Sequence, residues 1–538
     1  MTDPITRAGF VALIGEPNAG KSTLLNRMCG SRVSIVEPTA GVTRDRIAVQ
    51  ARLFNGVDER WVEVIDTGGV GIVDRDDLGP HVEEQVATAM AGADLILFLV
   101  DDLGWMDLSC QGSKFYKTPN IDKLASSGVR FTDAYSACVV CSPTRAAVLT
   151  GKYPARLMLT QWLPDGRWNP NGHKMRTGRF LRSLPLEERT LAENLREEGY
   201  ATFHAGKWHL GGAPFSLPEH HGFDHNLGGD DHGAPGNYFH PFKGSWRVPT
   251  TKLRASKQAF EGGEKGDYLT DLLAEGTVKL IRENGKKKPF FLYFPFYAVH
   301  TPLQGKKEKI ERYKQVPKEE RQGHPTYAAM VESVDDAVGK VMGAVRELGM
   351  EKDTLVLFTS DNGGFAGATN HAPLRANKGS PYEGGIRVPL IITGAGVERK
   401  GATCDVPATS SDLYPTILEM AGLPRKPRQH LDGRSLVGAL KGKGTLKIKP
   451  IFWHYPHYNQ HPQSAPHSVI RNGSWKLMEF LETGKVELYD LAKDLGESKD
   501  LSKAKPEVTK ELLARLHAWK KEVQAEPMLP NPLVQGTK

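Results

Sequence analysis

Apolar runs alternate with amphipathic stretches along most of this chain. Asp94-Leu95-Ile96-Leu97-Phe98-Leu99-Val100, Phe290 to Phe294 and Leu355 to Thr359 have the length and apolar density of strands buried on both faces, and Tyr200 to Ala205 reads as a further strand. Between them Leu186 to Arg196 has helical spacing and stops before Gly199, while Tyr327, Val331, Val334, Val338, Val341 and Val345 form a stripe that ends near Gly349. Strands alternating with helices predict an α/β fold with a doubly wound, mainly parallel sheet. A polar, Gly- and His-rich stretch from Gly212 to Tyr238 reads as a surface loop bordering a pocket. Beyond a Gly/Lys-rich stretch at 441–449 the pattern changes. Ile451 to Tyr455, Ser468 to Ile470, Trp475 to Phe480 and Val486 to Tyr489 predict short antiparallel strands, and Val508, Leu512, Leu516, Trp519 and Val523 one face of a terminal helix, together a small α+β subdomain.

The polar residues are placed where such a sheet binds ligands. Asp101 and Asp102, Lys207 and His209, His300, and Asp361 and Asn362 each follow the C-terminal end of a predicted strand. Asp101, Asp102 and Asp361 with the amide oxygen of Asn362 make an all-oxygen set suited to Ca²⁺ (or Mg²⁺) rather than Zn²⁺, although solvated turn carboxylates have the same look. In Cys138-Val139-Val140-Cys141-Ser142-Pro143-Thr144-Arg145, Ser142 suits an N-cap, Pro143 the first helical position, and Gly151 the stop. Cys141 then sits at a helix N-terminus with Arg145 one turn on. That is a place for a tetrahedral oxyanion, and one where a thiolate is stabilised and reactive. Cys138 and Cys141 also have the C-x-x-C spacing of a redox pair or half a zinc site. Cys29, Cys110 and Cys404 supply no second pair.

The N-terminal region carries different chemistry. Phe10 to Ile14 reads as a strand entering Gly15-Glu16-Pro17-Asn18-Ala19-Gly20-Lys21-Ser22, a complete phosphate loop in which backbone N–H groups face phosphates, Lys21 reaches the outer oxygens and Ser22 ligates Mg²⁺. Thr43 lies in Gly41-Val42-Thr43-Arg44-Asp45, and Val62 to Ile65 leads into Asp66-Thr67-Gly68-Gly69. Over residues 8 to 101 this resembles the first G domain of the Der (EngA) GTPases, which implies a GTP/Mg²⁺ site at Gly15, Asn18, Gly20, Lys21, Ser22, Thr43 and Asp66. An N-K-x-D to read guanine is missing, since Asn377-Lys378-Gly379-Ser380 lacks the aspartate. The fragment reads as a truncated P-loop domain. Strand 94–100 fits either a G domain or the α/β sheet on its C-terminal side, and cannot serve both cores.

From that strand onward the ordered motifs resemble the sulfatase family: Asp101-Asp102-Leu103-Gly104, Thr118-Pro119-Asn120-Ile121-Asp122, Cys141-Ser142-Pro143-Thr144-Arg145 with Leu149-Thr150-Gly151, Gly206-Lys207-Trp208-His209, and Asn377-Lys378-Gly379 ahead of Glu383-Gly384-Gly385. The strand is therefore assigned to the second fold. The expected domains are 1–92 (P-loop fragment), 93–440 (catalytic, alkaline-phosphatase-like) and 441–538 (C-terminal). The resemblance implies that Cys141 is oxidised to formylglycine by a maturation enzyme that reads the adjoining Ser142 to Arg145. It also implies metal ligands Asp101, Asp102, Cys141 (oxidised), Asp361 and Asn362. Arg145 would steady the hydrate, Lys207 bind sulfate and His209 assist its elimination, while His300 and Lys378 would contact sulfate and the leaving-group oxygen. The implied substrate is a sulfated small molecule or carbohydrate, with Trp162, Trp168 and Trp246 suited to stacking on a sugar ring. A phosphatase or phosphodiesterase on the same fold, preferring Ser or Thr as nucleophile, and a GTP-binding protein are the alternatives.

Composition narrows this further. A net charge of +7 over 538 residues is too diffuse to argue for nucleic acid, and no run is long and apolar enough to suggest a membrane span. Five cysteines, an odd number, do not make a disulfide framework. Met1-Thr2-Asp3-Pro4 begins no basic, then hydrophobic, export signal, so the expectation is a cytoplasmic location, although sulfatases are usually exported.

Overall fold

The computed structural model describes residues 9–13, 47–54, 59–66, 92–164, 169, 172–242, 263–442 and 449–534, the first three segments through their backbone alone. Two compact units emerge, Met1–Gly92 with Leu418–Arg425, and Ala93–Ile417 with Lys426–Lys538.

In the first unit β1 (Gly9–Leu13), β2 (Ile47–Phe54) and β3 (Glu59–Asp66) form a three-stranded sheet. Central β3 runs parallel to β1 and antiparallel to β2. β1 is the strand expected from the sequence, β3 contains the run Val62 to Ile65 that leads into Asp66, and β2 was not anticipated, although Ile47, Val49, Ala51 and Leu53 recur with the period of a strand. Gly15, Asn18, Gly20, Lys21, Ser22 and Thr43 lie outside the described residues, as do residues 23–28, which in sequence read as the helix that follows the phosphate loop. Asp66 closes β3.

The second unit is built on an eight-stranded sheet. Its members are β4 (Asp94–Val100), β5 (Gly128–Phe131), β6 (Ala201–Ala205), β7 (His225–Leu227), β8 (Phe290–Pro295), β9 (Thr354–Ser360), β10 (Leu390–Gly394) and β11 (Ala402–Cys404). Their spatial order is β11-β5-β10-β9-β4-β8-β6-β7. Only β10 runs against its neighbours, so the doubly wound, mainly parallel expectation holds. β4, β8 and β9 are buried along their whole length, which is why they lack polar alternation. β4 is hydrogen-bonded on one edge to β8 and on the other to β9. The strand that fits two folds therefore has both of its edges paired within the eight-stranded sheet.

Local chemistry sets the helix ends. In chain order, α1 is Cys141–Thr150, α2 is Leu191–Glu197 and α3 is Pro325–Glu347. The helix expected from Leu186 is α2, and it begins only at Leu191 because Thr190 and Glu193 close a capping box there. All ten residues of α1 are buried, and Gly151 ends it at φ 68°, a conformation that favours glycine. The cap assignment differs from the sequence reading. Val140 occupies the N-cap, Cys141 is the first helical residue, and Ser142 and Pro143 lie inside the first turn. Pro143 is tolerated there because first-turn N–H groups have no intrahelical acceptor.

The C-terminal sheet is β12 (Ile451–Tyr455), β13 (His467–Asn472), β14 (Trp475–Phe480) and β15 (Val486–Asp490), antiparallel in that order as expected, and α4 (Pro506–Glu522) packs on it through Leu512, Leu516 and Trp519. Residues 443–448 of the expected linker lie outside the described residues. A buried ion network joins this sheet to the catalytic part. Lys476 Nζ on β14 lies 2.9 Å from Glu383 Oε1 and 2.8 Å from Glu497 Oε1, all three side chains fully buried, and Glu383 Oε2 accepts from Tyr135 Oη at 2.7 Å. Lys476→Met leaves Glu497 without its cation beside Glu383, which keeps Arg387 at 3.0 Å. We expect it to lower unfolding free energy by about 3–5 kcal/mol, read from urea denaturation.

Candidate active site

Parallel strands β9, β4, β8 and β6 are consecutive neighbours, so their C-terminal ends share one edge of the sheet. Asp361 and Asn362 leave β9, Asp101 and Asp102 leave β4, His300 follows β8, and Lys207 and His209 follow β6. Helix α1 brings Cys141 and Arg145 to the same edge, and the turn at Asn377–Ser380 brings Lys378. The residues expected from the sequence thus converge.

Their side chains interlock. The Cys141 thiol donates to Asp101 Oδ1 at 3.4 Å and lies 3.4 Å from Lys378 Nζ. Lys378 Nζ also donates to Asp102 Oδ1 at 2.5 Å, and Lys207 Nζ to Asp101 Oδ2 at 2.6 Å. Arg145 donates through Nε (3.0 Å) and Nη2 (2.8 Å) to Asp361 Oδ2, and through Nη1 to the Lys207 carbonyl at 2.9 Å. Asp361 Oδ1 accepts from the Asp102 N–H at 3.3 Å, and Asn362 Nδ2 donates to Asp102 Oδ1 at 2.8 Å. Three carboxylates and three cations, all buried, form one lattice.

Burial opposes ionisation of these acids, and the cations decide the balance. Against burial, Lys207 and then His300 hold Asp101 below its usual range, and Lys378 and His300 bring Asp102 to about 2. Asp361 stays above its usual range because burial and the Asp101 charge outweigh Arg145. Burial and then Asp101 push the Cys141 thiol up to about 12. This corrects the expectation of a reactive thiolate: the guanidinium of Arg145 engages Asp361, and a carboxylate faces the sulfur. Burial and then Lys207 drive His209 well below its usual value, leaving a neutral ring whose Nε2 lies 2.7 Å from the Leu163 carbonyl. His300 is lowered by burial and then by Lys378, against the pull of Asp102.

The donors suit a hard divalent cation. Asp102 Oδ2 and Asn362 Oδ1 are buried oxygens without a hydrogen-bond partner. Ligand atoms of Asp101, Asp102, Cys141 and His300 lie within 4.8 Å of one another. His300 is the addition to the expected ligand group. Above Cys141 opens a cavity of about 470 Å³, bordered by His209, His300 and Lys378, by Gly233 to Gly236 of the expected loop, by Trp162 and Phe365, and by Gln460 and His461. The last two come from the C-terminal subdomain and were not anticipated, because isolated polar residues in a loop carry no periodic signal. Trp168 and Trp246 lie outside the described residues. Cys138 and Cys141 are both free thiols.

This geometry is that of a hydrolase acting on an ester of a tetrahedral oxyanion. The sulfatase family profile matches residues 93–423, and the profile of the N-sulphoglucosamine sulphohydrolase C-terminal domain matches residues 377–524. A sulfatase of Formosa agariphila is 32% identical over 498 residues, covering 79% of this chain and 88% of that protein. Human arylsulfatase A is 32% identical over 475 residues, covering 78% and 86%. Among solved structures, Ps i-CgsB in complex with k-i-k-neocarrahexaose is 32% identical with a TM-score of 0.65, covering 80% of this chain and 92% of that one. The chain belongs to the sulfatase family, whose members are sulfuric ester hydrolases that work through formylglycine and a metal ion. The profile of the 50S ribosome-binding GTPases matches residues 10–125, in keeping with the GTPase-like N-terminal fragment. Both profiles claim 93–125, where β4 pairs within the sulfatase sheet.

Arg145→Lys retains the charge and loses the fork that spans Asp361 and the Lys207 carbonyl. We expect sulfatase turnover to fall by about a hundredfold, as when catalytic groups shift by an ångström, and the melting temperature in the presence of divalent cation to drop; initial rates and a thermal melt check both.

Proposed function

We propose that the protein releases sulfate from a sulfated carbohydrate with Cys141, matured to formylglycine, as nucleophile. The carrying observation is the placement of Cys141 Sγ 3.4 Å from both Asp101 Oδ1 and Lys378 Nζ at the floor of the cavity. The hydrated aldehyde supplies one hydroxyl for attack on sulfur and a second whose deprotonation expels sulfate, which neither thiol nor serine provides. Asp101, Asp102, Asp361 and Asn362 would hold a divalent cation, Ca²⁺ by the hardness of its oxygens, which takes up negative charge on the sulfate.

The remaining roles fall to the chain's own side chains. Lys207, paired with Asp101, and Lys378, paired with Asp102, draw the sulfate in. Arg145 fixes the Asp361 carboxylate. With Nε2 donating to the Leu163 carbonyl, His209 keeps Nδ1 free of a proton and able to take one from the second hydroxyl. His300 gains a proton when bound sulfate offsets Lys378, and passes it to the departing alcohol oxygen. Trp162 and Phe365 offer ring faces at the cavity wall, and the relative solved with a neocarrahexaose supports a carbohydrate substrate. Maturation of Cys141 calls for a formylglycine-generating enzyme as a partner. The GTPase-like fragment takes no part in these steps.

The test is sulfate release from a panel of sulfated sugars and aryl sulfates, with peptide mass analysis alongside. We expect the active fraction to carry the aldehyde at residue 141 and a free thiol at Cys138, Cys141→Ser to lose multiple turnover, Cys138→Ala to keep it, and EDTA to abolish it until Ca²⁺ is restored. Full turnover by protein with an unmodified Cys141 would overturn the reading. A second expectation concerns the fragment: removing residues 1–90 leaves sulfate release intact, and the full chain shows no submicromolar preference for GTP over ATP in calorimetry.

A further inference from the structure

The turn that carries Lys378 is held from outside the catalytic sheet. Ser380 N–H closes it onto the Asn377 carbonyl at 3.1 Å, and Gly379 takes φ 84°. Gly379 N–H donates to the Val139 carbonyl at 2.9 Å, two residues before Cys141. On its other side Gly379 meets the loop that leaves β12. Asn459 Nδ2 donates to the Gly379 carbonyl at 3.2 Å, and Asn459 Oδ1 accepts from the His461 N–H at 2.9 Å. A Cβ at residue 379 would stand 2.6 Å from His461 Cδ2, so glycine is required both by φ and by the closeness of this loop. Asn459 Nδ2 also lies 3.3 Å from Tyr455 Oη, which donates to Gln161 Oε1 at 2.8 Å, the same oxygen that receives the Trp162 N–H at 3.0 Å. One asparagine of the C-terminal subdomain thus stands between the Lys378 turn and the opposite pocket wall.

Building on the proposed sulfatase chemistry, we infer that Asn459 is a positioning residue for Lys378. The long Lys378 side chain reaches Asp102 and Cys141 from a backbone turn, which is held by the Gly364 and Val139 carbonyls accepting from the Lys378 and Gly379 N–H groups and by the Asn459 side-chain amide donating to the Gly379 carbonyl. Without the amide bond to Gly379 the turn keeps its bonds to Gly364 and Val139 but loses its restraint on the side of the β12 loop, and Lys378 is held less closely against Cys141. The ammonium then moves away from the sulfate and the oxygen of the departing alcohol, where its charge matters most for poor leaving groups.

The experiment compares phenyl sulfate with 4-nitrophenyl sulfate as poor and good leaving groups, using protein whose aldehyde content is quantified by mass. The variants are Asn459→Ala, Asn459→Asp, which keeps the side-chain shape and the acceptor for His461 but loses the donor to Gly379, and Lys378→Arg as reference. We expect both Asn459 variants to lose about tenfold or more in kcat on phenyl sulfate and about threefold or less on 4-nitrophenyl sulfate, with the same bias in Lys378→Arg. A purely structural effect lowers the active fraction and scales both substrates equally. An equal loss on both, or no loss, overturns the inference while wild-type turnover leaves the sulfatase reading standing. A wild-type protein inactive on every sulfate ester removes that reading and this inference with it.

Discussion

The structure depends on a charge lattice at one sheet edge. Asp101, Asp102 and Asp361 are each met by a cation from another part of the chain, Lys207, Lys378 and Arg145, and all six are buried. A buried ion is tolerable only while its counter-ion stays in place. The register of β9 against β4, the seating of α1 and the turn at Lys378 are therefore all tied to one balance. Two oxygens remain outside that balance, Asp102 Oδ2 and Asn362 Oδ1, and they identify where a further positive charge fits. With that further positive charge in place, the enclosed cations suit a dianionic transition state, because they are positioned before the substrate arrives.

The sheet was legible because its signals are physical and local. Strands buried on both faces are written as unbroken apolar runs, so β4, β8 and β9 could be read directly, and the polar residues just past them could be placed at one edge by topology alone. The C-terminal strands were legible as short runs separated by polar turns, Asn472-Gly473 and Thr483-Gly484 among them. Other features were not. The start of α2 is fixed by a reciprocal bond between Thr190 and Glu193, and the cap of α1 lies two residues from the one expected, since a serine can be drawn inside a helix when other contacts hold the turn. Thr144 does this here, accepting from the Cys138 N–H at 3.1 Å. The electrostatics of Cys141 could not be read from a helix N-terminus, because the decisive neighbour, Asp101, is 40 positions away in sequence. Gln460, His461 and Asn459 reach the site from a loop whose sequence carries no period at all.

The two family profiles that overlap at 93–125 meet a simple geometric limit. A strand has two edges, and β4 offers both to β8 and β9. An apolar run can be equally acceptable to two sheets by composition, yet pairing is exclusive. The three-stranded sheet of the first unit and the eight-stranded sheet of the second consequently share no strand, and the catalytic residues all belong to the second.

Helix α1 has all ten of its residues buried, and Cys141 retains only 2% of its surface. An enzyme that recognises Ser142, Pro143, Thr144 and Arg145 must bind their side chains, and in the folded protein those are enclosed on every side. Recognition of this segment is open only while it is still extended. On the maturation proposed above, modification of Cys141 has to precede the enclosure of α1, because a chain that folds first holds its thiol beneath the charge lattice.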